Sequence, residues 1–281
     1  MATIGRKYMP ELPEVQTTVN GLKKKIKGLT ITGVWTDWPK YLKKGFAKEI
    51  TGRKILKVWR IGKNIIFDLS GRKIMLIHQK MTGHLLYGKW RDEKVNSYIH
   101  LIFSLSNGEK LALSDLRKFA KILAVDKKDF KNLKDIKNIG PDPLAPNFKS
   151  GDFKKLIAGK RGPIKKILMD QNIVSGIGNI YADEILFVAK INPLARVEKL
   201  NDEKLNKIFK AIKKILKKAV KLRGTSTYDY RDTAGKPGHY GEARLAYQRN
   251  GGKCPNRCGG IIKKVKIGGR SAHFCPICQK P

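Results

Sequence analysis

The segment Gly140-Pro-Asp-Pro-Leu-Ala-Pro146 sets the strongest limit on what this chain can fold into. Its three prolines cannot donate to a helix or a sheet ladder, and each pushes its predecessor out of the helical region. A structural break belongs there, and the hydrophobic period changes across it. Before the break, β-branched and aromatic runs predict strands over Thr30–Thr36, Arg53–Arg60, Asn64–Leu69, Lys73–His78, Ser97–Leu105, Lys110–Ser114 and Ile122–Val125. Asn107-Gly108 predicts the best hairpin turn, since both positions accept positive φ. Strands this short imply a sandwich or barrel rather than βαβ units. After the break the spacing is helical over Phe153–Ala158, Ile164–Asp170 and Ile180–Val188. Apolar residues from Leu205 to Val220 mark a long amphipathic helix with a Lys-rich outer face, with Asp202 and Glu203 at its N-terminal end and Lys221 and Arg223 at its C-terminal end. Gly224–Tyr240 has little periodicity and reads as a long loop, of the kind that in compact domains is either functional or disordered.

The charge narrows the partner. Sixty Lys and Arg against 23 Asp and Glu give +37 in 281 residues. Such a surface repels itself without a polyanion. From Ala243 onward there are nine basic residues and no acid. Nucleic acid is the leading partner and an anionic membrane surface the second. No apolar run reaches the roughly 18 residues that span a bilayer, and no signal peptide precedes the first motif. A soluble protein of the cytoplasm is the expectation.

Three constellations carry chemistry. Cys254-x3-Cys258, sixteen residues, then Cys275-x2-Cys278 can deliver four thiolates to a tetrahedral Zn²⁺, with Gly259-Gly260 and Pro276 permitting tight knuckles. His273 is a rival ligand by type, but reads better as a hairpin side chain. The metal would be structural and would hold a β-hairpin whose Arg270 can reach a phosphate. Second, Met169-Asp-Gln-Asn-Ile-Val-Ser-Gly-Ile-Gly-Asn179-Ile-Tyr-Ala-Asp-Glu184 ends one helix, turns on glycines and caps the next with Asn179. The preceding strand of a dinucleotide fingerprint is absent. A helix–two-turn–helix DNA clamp fits better, with a structural helix corner as the plain alternative. Third, Lys63, Met81, Arg117 and Phe119 are each ordinary alone. Together they supply the cation, the flexible wedge and the aromatic wedge needed to kink a duplex and fill the gap left by an extruded base.

Met9-Pro10-Glu11-Leu12-Pro13-Glu14-Val15 reads locally as a helix start, with Pro13 at the first helical position and apolar residues at helical spacing up to Gly28. Its place in the order of motifs changes that reading. This heptad, the β-rich half, Gly-Pro-Asp-Pro-Leu, Gly-Ile-Gly-Asn-Ile-Tyr-Ala and the four-cysteine tail are collinear from Met9 to Lys280. In that order they resemble the bacterial formamidopyrimidine-DNA glycosylases.

The resemblance implies an α+β multidomain protein. An N-terminal helix and β-sandwich would form the catalytic domain over residues 10–139, with a linker over 140–150. A helix–two-turn–helix domain over 151–223, a lesion-capping loop over 224–242 and a hairpin zinc finger over 243–281 would follow. Residues 1–9 would be a dispensable extension ahead of the true start. Pro10 matches the nucleophile whose secondary amine attacks C1′ of the damaged nucleotide. Glu11 matches the carboxyl that protonates the sugar ring oxygen, and Glu14 its supporting acid. Lys63 matches the lysine near the lesion phosphate, and Asn179 and Arg270 match phosphate ligands. Met81, Arg117 and Phe119 match the inserted triad, with Arg117 facing the orphaned cytosine. Thr225, Ser226, Thr227 and Tyr228 fall in the loop that closes over the everted base. The implied activity is a bifunctional glycosylase and AP lyase excising oxidised purines from double-stranded DNA. It would act as a monomer holding one Zn²⁺ and no nucleotide cofactor.

Leu12 and Val15 favour that branch over the endonuclease VIII-like enzymes for oxidised pyrimidines. Three positions depart from the family pattern: the x3 cysteine knuckle, Lys80 for a glycine and Lys118 for an arginine. A further consequence is chemical. A proline inside a peptide bond has no amine to attack with, so a chain that keeps Met1–Met9 would bind DNA without this chemistry.

Overall fold

The computed structural model describes residues 9–88, 97–226 and 230–280. They form two compact units. Residues up to Lys137 join Leu222–Gly241 in the first, and Asn138–Lys221 join the chain from Glu242 onward in the second.

The first unit begins with helix α1 (Leu12–Leu22), capped at Glu11, whose backbone N–H donates to Glu14 Oε2 at 2.9 Å. Pro13 is therefore the second helical residue, not the first. The helix also ends six residues before Gly28. The Gly28 N–H donates to Ile55 O and the Ile31 N–H to Arg53 O. These sheet-like bonds draw the chain out of the helix, while Ile26 keeps its place in the core through a tight turn.

Two four-stranded antiparallel sheets follow. One has the order β1 (Ile31–Thr36), β6 (Ile99–Leu105), β7 (Lys110–Ser114), β5 (His84–Tyr87). The other has the order β2 (Ile55–Ile61), β3 (Asn64–Leu69), β4 (Lys73–His78), β8 (Lys121–Asp126). Val15 and Val19 of α1, Phe67 and Ile77 of one sheet, and Phe103 and Leu113 of the other share one apolar cluster. This is a β-sandwich. The opposite face of β3 and β4 is covered too: Ile66, Ile74 and Leu76 pack with Trp59, Leu123 and Phe130. Burial on both faces explains why these strands read as continuous apolar runs.

Strand β5 and the short helix α2 (Phe46–Ile50) carry no sequence signal of their own. The first is an edge strand held through β7, and the second has barely one turn. The Asn107-Gly108 hairpin exists with a different turn. Only Gly108 has positive φ, the Leu105 N–H donates to Glu109 O and the Gly108 N–H to Leu105 O. That is a three-residue loop in which the glycine supplies the left-handed step.

The second unit holds α3 (Ser150–Ile157), α4 (Ile164–Met169), α5 (Asn179–Ala189), α6 (Asp202–Lys221) and the hairpin β9 (Lys263–Ile267)–β10 (Arg270–Phe274). Helix α5 is buried almost all round, as a central helix must be. Its cap is Gly178, whose carbonyl accepts the Ala182 N–H, so Asn179 is the first helical residue rather than the cap. Among the described residues, no helix is long and apolar enough to cross a membrane.

Candidate active site and zinc centre

In the first unit the start of α1 carries two buried glutamates. Glu11 is 3% exposed and Glu14 2%, and Pro10 is buried before them. Glu14 has each oxygen committed, Oε2 accepting the Glu11 N–H and Oε1 the Thr225 N–H at 2.7 Å. Its backbone carbonyl accepts the Tyr230 hydroxyl at 3.0 Å. Burial first, then the Glu14 charge, drives the Tyr230 pKa far above its ordinary value and keeps it a donor. Gly224 has φ +77, and a Cβ there would lie 2.6 Å from Glu14 Oε1, so only glycine fits beside this carboxylate. Thr225 and Ser226 are thereby fixed at the base of their loop, with Ser226 Oγ donating to Tyr230 O and accepting the Gly238 N–H. Thr227 and Tyr228 lie outside the described residues, as do residues 1–8.

Lys63 occupies the turn between β2 and β3 and is half-buried. Arg60 fastens that turn to α1, donating to Gln16 Oε1 and to Gly62 O, each at 3.0 Å. The structure thus links the predicted nucleophile helix and the predicted lysine through a residue that sequence reasoning passed over. It also adds His78, whose Nδ1 accepts the Lys80 N–H at 2.9 Å. Burial first, then the charges of Lys80 and Lys63, push its pKa down to about 3, so the imidazole is neutral with its proton on Nε2. No motif pointed to it except its place next to Gln79-Lys80-Met81.

Met81, Arg117 and Phe119 come together. Arg117 Nη1 contacts Met81 Sδ at 3.3 Å, and the guanidinium lies 4.6 Å from the Phe119 ring centre. Phe119 is 50% exposed, with the Arg117 guanidinium over its ring. Beneath them sits Asp115, fully buried. Its carboxylate accepts the hydroxyls of Thr82 and Tyr41 and the Ala120 N–H, and the Arg117 N–H donates to Thr82 Oγ1. One acid therefore ties the loops of Met81, Arg117 and Phe119 together. Lys80 and Lys118 both have positive φ, near +55°, which explains why a glycine suits the first. The Lys118 ammonium rests 4.2 Å from the Trp38 ring centre.

In the second unit, Asn179 begins α5 and its Oδ1 is buried without a hydrogen-bond partner among the described residues. Gln171 shapes the turn before it, donating to Met169 O and Ile177 O and accepting the Gly176 N–H. Arg270 is exposed at the start of β10, across the Gly268-Gly269 turn from Ile267. Asp183, one turn after Asn179, accepts Lys165 Nζ at 2.6 Å and both the backbone N–H and Nδ1 of His273 at 2.9 Å. His273 is thus spoken for by Asp183. All three side chains are buried.

The four cysteine sulfurs lie within 4.8 Å of one another. A Cβ on Gly260 would sit 2.6 Å from Cys275 Sγ and 3.3 Å from Cys258 Sγ, so the knuckle needs glycine to hold this cradle open. Burial first, and then the hydrogen bonds with Cys258, Cys275 and Cys278, push the Cys254 thiol up to about 12, a cost that a bound dication reverses. The donor set fits one structural zinc, held by Cys254, Cys258, Cys275 and Cys278. Glu184 anchors the ribbon to α5 by accepting three consecutive N–H groups, from Leu245, Ala246 and Tyr247.

Sandwich, helix–two-turn–helix motif and zinc ribbon define a DNA glycosylase of base excision repair. Family models agree along the chain: the formamidopyrimidine-DNA glycosylase N-terminal domain matches residues 9–122, its H2TH domain 139–231, and the zinc finger found in FPG and IleRS 251–281. The formamidopyrimidine-DNA glycosylase of Pelotomaculum thermopropionicum is 40% identical over 276 residues, covering 97% of this chain and 99% of that one. A Lactococcus lactis Fpg in complex with abasic-site DNA superposes with a TM-score of 0.87 at 32% identity, over 96% of this chain and all of that one. The MutM (Fpg) protein of Thermus thermophilus gives 0.85 at 32% identity, over 96% and 98%. The chain belongs to the formamidopyrimidine-DNA glycosylase family.

Proposed function

We propose that this enzyme excises oxidised purines, 8-oxoguanine and formamidopyrimidines, and then nicks the strand through an imine on Pro10. The observation that carries the reading is the start of α1, where Pro10 and Glu11 are buried beside a Glu14 whose oxygens are both engaged. Glu11 is then the proton donor and Glu14 the residue that fixes the pocket. A neutral α-amino group is well populated near its reference pKa of about 8. Its nitrogen attacks C1′ as Glu11 protonates the ring oxygen. The base departs taking a proton, and the resulting iminium acidifies the 2′ protons so that β- and then δ-elimination release both phosphates. Lys63, Asn179 and Arg270 hold phosphates, and Met81, Arg117 and Phe119 enter the stack with Arg117 on the estranged cytosine. Thr225, Ser226, Thr227 and Tyr228 close over the extruded base. The reading takes the boundaries set out from the sequence, a monomer on one duplex, a bacterial cytoplasmic setting and no nucleotide cofactor.

Met9 is bonded to Pro10 in the chain as written, so the amine exists only once residues 1–9 are gone. The family match beginning at residue 9 supports that. With the extension retained, the chain would bind damaged DNA without cutting it. Borohydride trapping on an 8-oxoguanine duplex separates the two. A covalent complex is expected from the Met9-start protein alone and is lost in Pro10→Gly and Glu11→Gln. Trapping by uncut full-length protein would instead indicate a lysine nucleophile.

A further inference from the structure

Helix α6 carries seven lysines and no acid between Leu205 and Lys221. Ile208, Ile212, Ile215 and Ala219 form its buried face, and α6 packs on α5 and α3. At 100° per residue, Lys207, Lys210, Lys214, Lys217, Lys218 and Lys221 fall within an arc of about 100° on the other side. All six are exposed.

Of these, Lys207 has an acidic partner, Glu203 one turn earlier. Lys210 and Lys214, Lys214 and Lys218, and Lys217 and Lys221 stand four apart, where like charges weaken a helix. A face kept only for solubility is better served by glutamates at that spacing. A lipid surface is also poorly matched, because an interfacial helix flanks its lysines with exposed Trp, Phe or Leu. Phe209 instead turns to Phe148 and Phe153, with ring centres 5.8 and 6.1 Å away. The row from Lys207 to Lys221 is about 21 Å long at 1.5 Å per residue. Duplex DNA presents about twelve phosphates over that length.

We propose that this face of α6 binds the backbone of a second stretch of nucleic acid duplex. It is separate from the phosphate ligands Asn179 and Arg270, which lie on α5 and β10. Its role is to add lesion-independent, salt-sensitive affinity. The proposal is independent of the Pro10 chemistry and survives or fails without it.

The test replaces Lys210, Lys214, Lys217 and Lys218 together by Gln in the full chain. Exposed Lys43, Lys48, Lys54 and Lys128 of the first unit, also changed to Gln, form a control set of equal charge. Gln keeps the helix propensity of Lys, so both proteins fold. Binding of a long lesion-free duplex is followed against salt, and single-turnover excision is read on a short lesion duplex. The α6 set is expected to flatten the plot of log affinity against log salt by about 3 to 4, with lesion-free affinity down roughly tenfold or more at low salt. Excision should stay unchanged, and the control set should keep the steeper slope. An unchanged slope in the α6 set, or an equal fall in both sets, overturns the proposal. So does loss of capture by phosphatidylglycerol vesicles without loss of DNA binding.

Discussion

Asp115 shows how much one carboxylate can govern. It is buried and accepts from Tyr41, Thr82 and Ala120, so it holds the loops bearing Met81, Arg117 and Phe119 to one another. Asp115→Asn puts an N–H where one of these donors points and should cost about 1.5–3 kcal/mol in urea unfolding. It should also blur discrimination between bases opposite the lesion while cleavage of preformed abasic sites holds. Normal opposite-base discrimination would show that the wedge is positioned by something else. Glu14→Gln tests the same logic at the pocket, since Thr225 and the Glu11 backbone would compete for one remaining oxygen. Excision should fall at least tenfold with the sandwich still folded. Two histidines set a pH limit. His78 and His84 have pKa values pushed down to about 3 and about 4, each by burial first. Unfolded, both titrate near 6.5, so below that pH the unfolded chain binds protons that the folded chain refuses. Stability is therefore complete above about 6.5 and is lost as pH falls towards 4, by up to about 1.4 kcal/mol per pH unit for each histidine. Denaturation midpoints measured between pH 7 and 4.5 check this, and His84→Phe should flatten the decline.

At the scale of elements, the second unit is tied together by acids on a helix that otherwise looks apolar. Asp183→Asn would leave Lys165 as a buried charge without its counter-ion and should destabilise that unit by about 3–5 kcal/mol. Removing zinc should release the cysteine cluster and with it Arg270, weakening DNA binding at least tenfold; equal affinity after chelation would demote Arg270 as a ligand. Strands β3, β4 and β7 were legible to the residue, because their apolar runs are bounded by turn residues on both sides. The metal site was equally legible, since four thiols at that spacing have few other uses. Less legible was everything set by partners distant in sequence. The early end of α1 comes from backbone bonds to Arg53 and Ile55, β5 depends on β7, and Asp115, Arg60 and His78 gain meaning only from what folds against them. Asp183 and Glu184 did leave a trace: two adjacent acids in the apolar stretch Ile180–Val188 signal buried acceptors.

For the molecule as a whole, the net charge of +37 predicts DNA affinity that falls steeply with salt, because each phosphate contact releases a counterion. A filter-binding series in rising potassium chloride should give a straight log–log line, and a flat response would contradict a phosphate-dominated footprint. A different consequence follows from the return of Leu222–Gly241 to the first unit. The pocket around Glu14 is assembled from two pieces of gene separated by about two hundred codons, the Glu14 carboxylate from one and the Thr225 N–H from the other. Cutting the coding sequence at the proline-rich segment would yield an amino-terminal fragment with Pro10 and Glu11 but with Glu14 Oε1 short of its donor. Exchange between relatives that swaps the front half alone would pair each Glu14 with a foreign Gly224-Thr225. Such chimaeras should fold their sandwich yet excise poorly until the returning segment is exchanged with it.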